Sequence, residues 1–376
     1  MSSVPLTTRQ LRSLVTEDGQ VRVSVETVET PQPRPHQVLV RVEAAPLNPS
    51  DLALLLASAD PGTAETEDGP GGSVLTAAVP EAMMPSLRAR LARSMPVGNE
   101  GAGVVVAAGE TAEAQALLGQ RVGFPGEGTY GEHALTAAQV CLPLPEGVSA
   151  AQGASSFVNP FTALGMVETM RREGHTALVH TAAASNLGQM LNRVCLADGI
   201  ELVNVVRRPE QAGLLRDLGA RHVVDSGSGS FMADLVDAIR ATGATMAFDA
   251  VGGGRLASDI LNAMEAAVTD PGAPYSRYGT EVPKQVYVYG GLDRRPTELR
   301  RGFGFAWGIG GWLLMPFLAS LAPEDLARLK RRIAAELSTT FASNFTEEIS
   351  LDQVLDLDVL RRYARTATGE KFLILP

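Results

Sequence analysis

The sequence predicts an α/β protein in which a doubly wound parallel sheet is joined to a β-rich, partly open barrel. Three observations predict it: short strands punctuated by Gly and Pro before residue 157, alternation of strand and helix from 157 to 320, and an apolar strand at 178–179 that leads through a turn of small residues into a helix. The expected domains are 1–156 with 321–376, and 157–320. In the first, VRVSVETVE alternates, QVLVRVEAAPL is a strand leading to a turn, GAGVVVAAG is a strand closed by glycine, and QRVGF begins another. Short strands of this kind indicate a partly open barrel. Residues 58–95, with PGTAETEDGPGG among them, are polar and turn-rich and read as a flexible excursion beside a cleft.

From 157 the strand and helix segments are the 178–208 unit, then ARHVVDS, FMADLVDAIRAT, TMAFDAVG, GRLASDILNAMEAA and KQVYVYGG. Repeated βα units imply a parallel sheet. An amphipathic helix follows near 323–337, a further helix opens at ISLDQV, and the last strand, KFLILP, is expected to return to the first domain.

Composition narrows the function. A chain of 376 residues suggests about two domains, and with 45% hydrophobic residues it can bury a large core. A formal net charge of −10 argues against a nucleic-acid surface. Cys141 and Cys195 lie too far apart for a clip motif and form no disulfide framework, and MSSVPLTTRQ has no apolar signal-peptide core, so the expected location is the cytoplasm. Residues 302–319, GFGFAWGIGGWLLMPFLA, carry no charge and approach the length of a membrane span. Glycines and Pro316 interrupt them, so they read instead as a buried strand and pocket wall with a subunit interface, and no integral span is expected. Phe303, Phe305, Trp307 and Trp312 would line a cavity or the contact of a homodimer.

The 178–208 unit carries the chemistry. Leu178 and Val179 suit a strand buried on both faces, and residues 181–188 supply small side chains where a backbone must approach a diphosphate. The helix from about Asn186 to Ala197 points its unpaired amides and positive dipole end at that turn, and Leu187, Met190, Leu191, Val194 and Cys195 give it one apolar face. Arg207 and Arg208 stand where the next strand stops, the place at which an acidic residue would take a ribose 2′-hydroxyl. Two guanidiniums there favour a 2′-phosphate, hence NADP(H). The alternative is that they merely solvate a strand end.

In their order, LNPSDL, GNEGAGVVVAAG, GQRVGF, GTYGEHAL and GEKFLILP resemble the medium-chain dehydrogenase/reductase superfamily over nearly the whole chain. FVNPFTALGMV, AAASNLGQ, VNVVRRP and VYVYGG are similar to signatures of its zinc-free quinone oxidoreductase and 2-enoyl thioester reductase branch. The resemblance implies a GroES-like catalytic domain, a Rossmann domain, a homodimer, and NADPH-dependent hydride transfer to a small electrophilic substrate such as a quinone, an enone or another activated alkene. It further implies that Asn159 and Thr162 face the nicotinamide and its ribose, that Ala184, Ser185, Asn186, Leu187 and Gly188 hold the diphosphate, and that Arg207 and Arg208 take the 2′-phosphate. Tyr289, Gly290, Gly291 and Leu292 would meet the nicotinamide side, Lys371 would contact the cofactor, and Asn48 and Asp51 would sit at the cleft. Turn and cap chemistry accounts for Asn-Pro-Ser-Asp equally well.

No metal site is expected. Asn48 stands where the zinc branch has a catalytic cysteine, that branch's four-cysteine lobe is missing, and His36, His133, His175, His180 and His222 have no ligand spacing. The thioester reductases also carry a tyrosine shortly after the NPSD motif, and this chain has none before Tyr130. Ser50, Tyr130 or water remain as proton donors. Arg88, Arg90 and Arg93 read either as a solvated helix face or as a site for coenzyme A phosphates. Two alternatives stay open: a sensing or structural NADPH-binding protein without turnover, and an alcohol dehydrogenase-like oxidoreductase, for which a metal or a Tyr-Lys pair is wanting.

Overall fold

The computed structural model describes residues 4–376 except 70, 271, 273 and 366, so the first three residues of MSSVPLTTRQ lie outside the described part. The chain divides into two compact units, residues 1–158 with 330–376, and residues 159–329.

The first unit is β-rich. Thr7–Val15 pairs antiparallel with Gln20–Glu29, and the inward residues Leu11, Val15, Val21 and Val23 are buried. Gln37–Pro46 is the most connected strand, pairing antiparallel with Glu100–Ala108, His133–Ala137 and the last strand Phe372–Leu375. That last strand also lies parallel to Glu347–Ser350. Val40, Val42 and Phe372 from these strands, Phe124 from the strand Arg121–Pro125 and Tyr130 from the loop after it share one apolar core with Leu11 and Val21.

Two expectations for this unit are corrected. Residues 58–95 are not a flexible excursion: Glu65–Gly69 and Gly72–Ala78 form an antiparallel pair, and Gly72–Ala78 extends the sheet through Gln20–Glu29. The physical reason is period-two burial, since Leu75 and Ala77 turn into the core and outweigh the polar composition around them. Nor is Arg90 solvated or free for a phosphate, because its guanidinium donates to the Leu54 carbonyl at 2.9 Å and to the Ser13 hydroxyl at 3.1 Å. A smaller revision is that ISLDQV ends a strand and enters a 3-10 turn, Asp352–Leu355, with the helix proper at Leu357–Tyr363.

The second unit holds six parallel strands in the order His222–Asp225, Glu201–Val206, Ala177–His180, Met246–Asp249, Lys284–Val288, Trp307–Gly311. Every residue of Ala177–His180 and of Met246–Asp249 is buried, as continuous apolar strands covered on both faces require. The helices Phe231–Thr242 and Leu256–Val268 contribute Leu235, Ile239, Ile260, Leu261 and Met264 to the core beneath them. The chain leaves Ala177–His180 toward one side and later returns on the other, so the strand order reverses there, the position at which open parallel sheets take ligands at their carboxyl ends.

The uncharged stretch 302–319 separates into parts. Phe303 is fully buried, Trp307–Gly311 is the edge strand, and Leu314–Ala319 is a short helix. Among the described residues no helix is long and apolar enough to cross a membrane. Trp312 and Phe317 line a groove of about 320 Å³ together with Thr169, Arg172 and Tyr287, whereas Phe305 is 70% exposed and stacks edge-on against Tyr278.

A buried ion pair ties residues 280–284 to the helix Leu256–Val268. Lys284 Nζ lies 2.6 Å from Glu265, with side-chain exposures of 0% and 10%, and also donates to the Val282 carbonyl at 2.8 Å. Removing one partner strands the other charge in the interior. Lys284→Met should therefore cost about 3 kcal/mol, read as a lower midpoint in urea unfolding, and a midpoint equal to wild type would show that Glu265 is solvated.

Candidate active site

In the first unit a buried polar cluster gathers around the NPSD segment. Asn48 precedes the helix Pro49–Leu55, and its backbone N–H donates to Asp51 Oδ2 at 2.8 Å, which caps the turn. Its amide donates to Glu100 Oε1 at 2.8 Å. Asn99 Nδ2 donates to Asp51 Oδ1 at 2.6 Å, and the N–H groups of Phe157 and Val158 donate to Glu100 Oε2 at 3.1 and 2.8 Å. Both carboxyl groups are thus removed from water with their acceptor positions filled. Burial pushes Asp51 up to about 7 and raises Glu100 as well, while the Lys371 ammonium and the donors around Glu100 work against that rise. Lys371 donates to Ser155 Oγ at 2.7 Å, and burial pushes it down to about 8 against the pull of Glu100 and Asp51.

The other candidates of this unit fall differently. Ser50 is exposed on the first turn of Pro49–Leu55. Tyr130 is fully buried beside Asp51 and donates its hydroxyl to the Pro46 carbonyl at 2.9 Å, and burial first and the Asp51 carboxyl second hold its pKa well above the usual phenol range. Glu100 and Asn99 escaped the sequence reading, although a lone acid opening the apolar strand EGAGVVVAA was a visible signal. Among the described residues no group of three or more His, Cys, Asp or Glu side chains is placed to hold a metal ion.

In the second unit the small-residue turn follows Ala177–His180. Ser185 caps the helix Asn186–Asp198 by accepting the Gly188 N–H at 3.1 Å. Gly188 is required there, because a Cβ would come within 2.1 Å of the Ala183 carbonyl oxygen. Ala184 is buried, and Ser185, Asn186 and Leu187 are half-buried at the helix start, where the positive end of the helix dipole favours an anion. Thr181 donates to Asp249 Oδ1 at 2.7 Å, and Asp249 accepts the Val251 and Gly252 N–H groups, which knits adjacent strand ends together.

Arg207 and Arg208 end Glu201–Val206 with exposed side chains, and neither forms an ion pair among the described residues. Asn159 and Thr162 stand one turn apart at the start of Val158–Arg172. Tyr289, Gly290, Gly291 and Leu292 leave the end of Lys284–Val288; a Cβ on Gly290 would meet the Ala250 carbonyl oxygen at 2.6 Å, and Leu292 is 55% exposed. The Tyr289 hydroxyl lies 2.7 Å from Nε2 of His180, a buried residue that the sequence reading treated as unremarkable.

Comparison with known proteins follows the same lines. Residues 34–146 match the alcohol dehydrogenase GroES-like domain. The mitochondrial enoyl-[acyl-carrier-protein] reductase of Xenopus tropicalis is 30% identical over 231 residues, 58% of this chain and 57% of that protein. The chain spans about half the length of the curated relatives it matches. A crystal structure of a Mesorhizobium loti protein assigned as an NADPH:quinone reductase is similar with a TM-score of 0.75 and 26% identity, covering 100% of both chains. One from Bacillus thuringiensis with the same assignment reaches a TM-score of 0.74 over 99% of this chain and 100% of that one, and at 18% identity shows the likeness of fold.

The raised Asp51 sets a pH dependence. An aspartate in the unfolded chain ionises near 3.8, so between about 4 and about 7 the folded protein holds a proton that the unfolded chain has released, and stability falls as pH rises through that window. Asp51→Asn should remove this contribution, at most about 1.4 kcal/mol per pH unit, in denaturant unfolding measured from pH 4 to 7. A difference between wild type and variant that does not change with pH would show Asp51 ionised throughout.

Proposed function

Because residues 34–146 match the GroES-like domain and the chain is similar to enoyl reductase and NADPH:quinone reductase proteins, we propose that it belongs to the medium-chain dehydrogenase/reductase superfamily and is an NADPH-dependent reductase of quinones, enones or other activated alkenes. The observation that carries this reading is the pair of exposed arginines, without ion-pair partners among the described residues, at the end of Glu201–Val206, beside a capped helix start that has no room for a Cβ at Gly188. Those residues fit a dinucleotide with a 2′-phosphate. Bound there, the cofactor supplies the hydride.

The protein's part is placement and electrostatics. Ala184, Ser185, Asn186, Leu187 and Gly188 receive the diphosphate, and Arg207 and Arg208 receive the 2′-phosphate through charge-assisted bonds. Asn159, Thr162, Tyr289, Gly290, Gly291 and Leu292 orient the nicotinamide end, and Lys371 holds a positive charge for the cofactor. Asn48 and Asp51, fixed by Glu100 and Asn99, form a preorganised polar wall for the substrate, which needs no reorganisation when charge develops. The β-rich unit thereby acts as the GroES-like catalytic domain and residues 159–329 as the Rossmann domain.

We also assign the protein to the cytoplasm, which the two buried cysteine thiols, Cys141 and Cys195, support, and to a homodimer. The open edge strand Trp307–Gly311, followed by Leu313 and Met315 at 67% and 55% exposure, favours pairing with a second copy.

The cofactor assignment is tested by fluorescence titration with NADPH and NADH. NADPH should bind about ten- to a hundredfold more tightly, from the roughly 1.5 to 3 kcal/mol of a charge-assisted contact, and Arg207→Ala should erase most of that difference. Equal affinities in the unmodified protein would refute the 2′-phosphate site, and NADPH binding without oxidation by any quinone or enone would refute the reductase.

A further inference from the structure

Hydride addition to an activated alkene leaves negative charge on the neighbouring carbonyl oxygen, and a hydrogen-bond donor at that oxygen lowers the barrier. In the β-rich unit Tyr130 and Tyr363 are both buried, and they give their O–H groups to the backbone carbonyls of Pro46 and Val354. The carboxyl edge of the parallel sheet holds another tyrosine. Tyr289 follows Lys284–Val288, and its hydroxyl meets Nε2 of His180, the last residue of Ala177–His180, at 2.7 Å. The rings stack with centroids 5.8 Å apart and an interplanar angle of 18°.

The proton on this histidine can be located by elimination. Burial pushes His180 down to about 3, so the ring is neutral and only one nitrogen bears hydrogen. Nδ1 is buried and has no hydrogen-bond partner among the described residues. An unpaired buried N–H is rarer and costlier than an unpaired buried lone pair, so the hydrogen sits on Nε2 and is donated to the Tyr289 oxygen. A phenol oxygen that already accepts from histidine keeps its own O–H for another acceptor, and no other bond of that hydroxyl is present among the described residues.

We propose that Tyr289 donates its O–H to the carbonyl oxygen of the bound enone or enoyl thioester, and that His180 is the positioning residue that aims it. The inference rests on the reductase reading above. Hydride from the cofactor forms the new C–H bond at the β-carbon, the alkene pair shifts toward the carbonyl, and the oxygen carries the resulting enolate charge. Tyr289 stabilises that charge without losing its proton, which accords with a phenol whose pKa burial raises. Water then supplies the proton to the α-carbon.

Steady-state kinetics with a crotonyl thioester and a cyclic enone test this, on wild type, Tyr289→Phe, His180→Phe and His180→Gln. Tyr289→Phe should lower kcat roughly 10- to 100-fold, a loss larger than any weakening of NADPH binding measured by titration of the same variant. His180→Phe should lower kcat similarly, and His180→Gln, which keeps an N–H donor, should restore most of it. Nitrogen-15 NMR of the histidines should show His180 as the Nε2–H tautomer. A Tyr289→Phe enzyme with wild-type kcat, or an Nδ1–H tautomer, overturns the role of Tyr289 alone. A wild-type protein that reduces neither substrate nor any quinone overturns the reductase reading beneath it.

Discussion

Parallel pairing of the strands in the second unit is the constraint on which its proposed chemistry depends. Six strands that all run one way finish on one edge, and the residues just beyond their ends become neighbours although they are distant in sequence. Thr181 and Asp249 bond across two such ends, Tyr289 at a third reaches His180 across the strand between them, and Arg207 and Arg208 follow a fourth. A single antiparallel reversal would send half of these groups to the opposite edge. The close approach at Gly188 then brings the helix start to that same edge, where its amides can serve an anion.

In the β-rich unit the corresponding constraint is a buried acid. Glu100 has its oxygens bonded to the Asn48 amide and to two successive backbone N–H groups, so one carboxylate fixes a loop, a strand start and the residues before a helix. Such a group is costly to bury and is tolerated because its acceptor positions are filled. The result is stiffness around Asn48, which is what a preorganised wall demands.

Much of this architecture is legible in the sequence because periodicity reports burial directly. The apolar runs at 178–179 and 246–248 and the helical spacing of Leu187, Met190, Leu191 and Val194 are consequences of covering a sheet on both faces, and they sit in the structure as strands and helix. Residues 58–95 were misread because polar composition was weighed above the alternation of Leu75 and Ala77. Thr7–Val15 was passed over for a related reason, since its arginines and threonines mask the inward Leu11 and Val15. Long-range polar partners were not legible at all. The contacts between Asn48 and Glu100 and between His180 and Tyr289 join residues 52 and 109 positions apart, and no local pattern encodes them.

That difference bears on how the NPSD segment should be understood. Its sequence supports a turn-and-cap reading and a site reading equally, as though one had to be chosen. In the structure the two tasks fall to different atoms: the Asp51 carboxylate and the Asn48 backbone N–H belong to the capping box, while the Asn48 side-chain Nδ2 donates to Glu100. The cap holds the Asn48 backbone in the one conformation from which its amide reaches the buried acid, so local helix chemistry and the polar wall are successive links of one chain of hydrogen bonds. Loss of either link leaves a buried carboxyl group with an unfilled acceptor, and the segment's fold and its proposed role therefore depend on the same bonds.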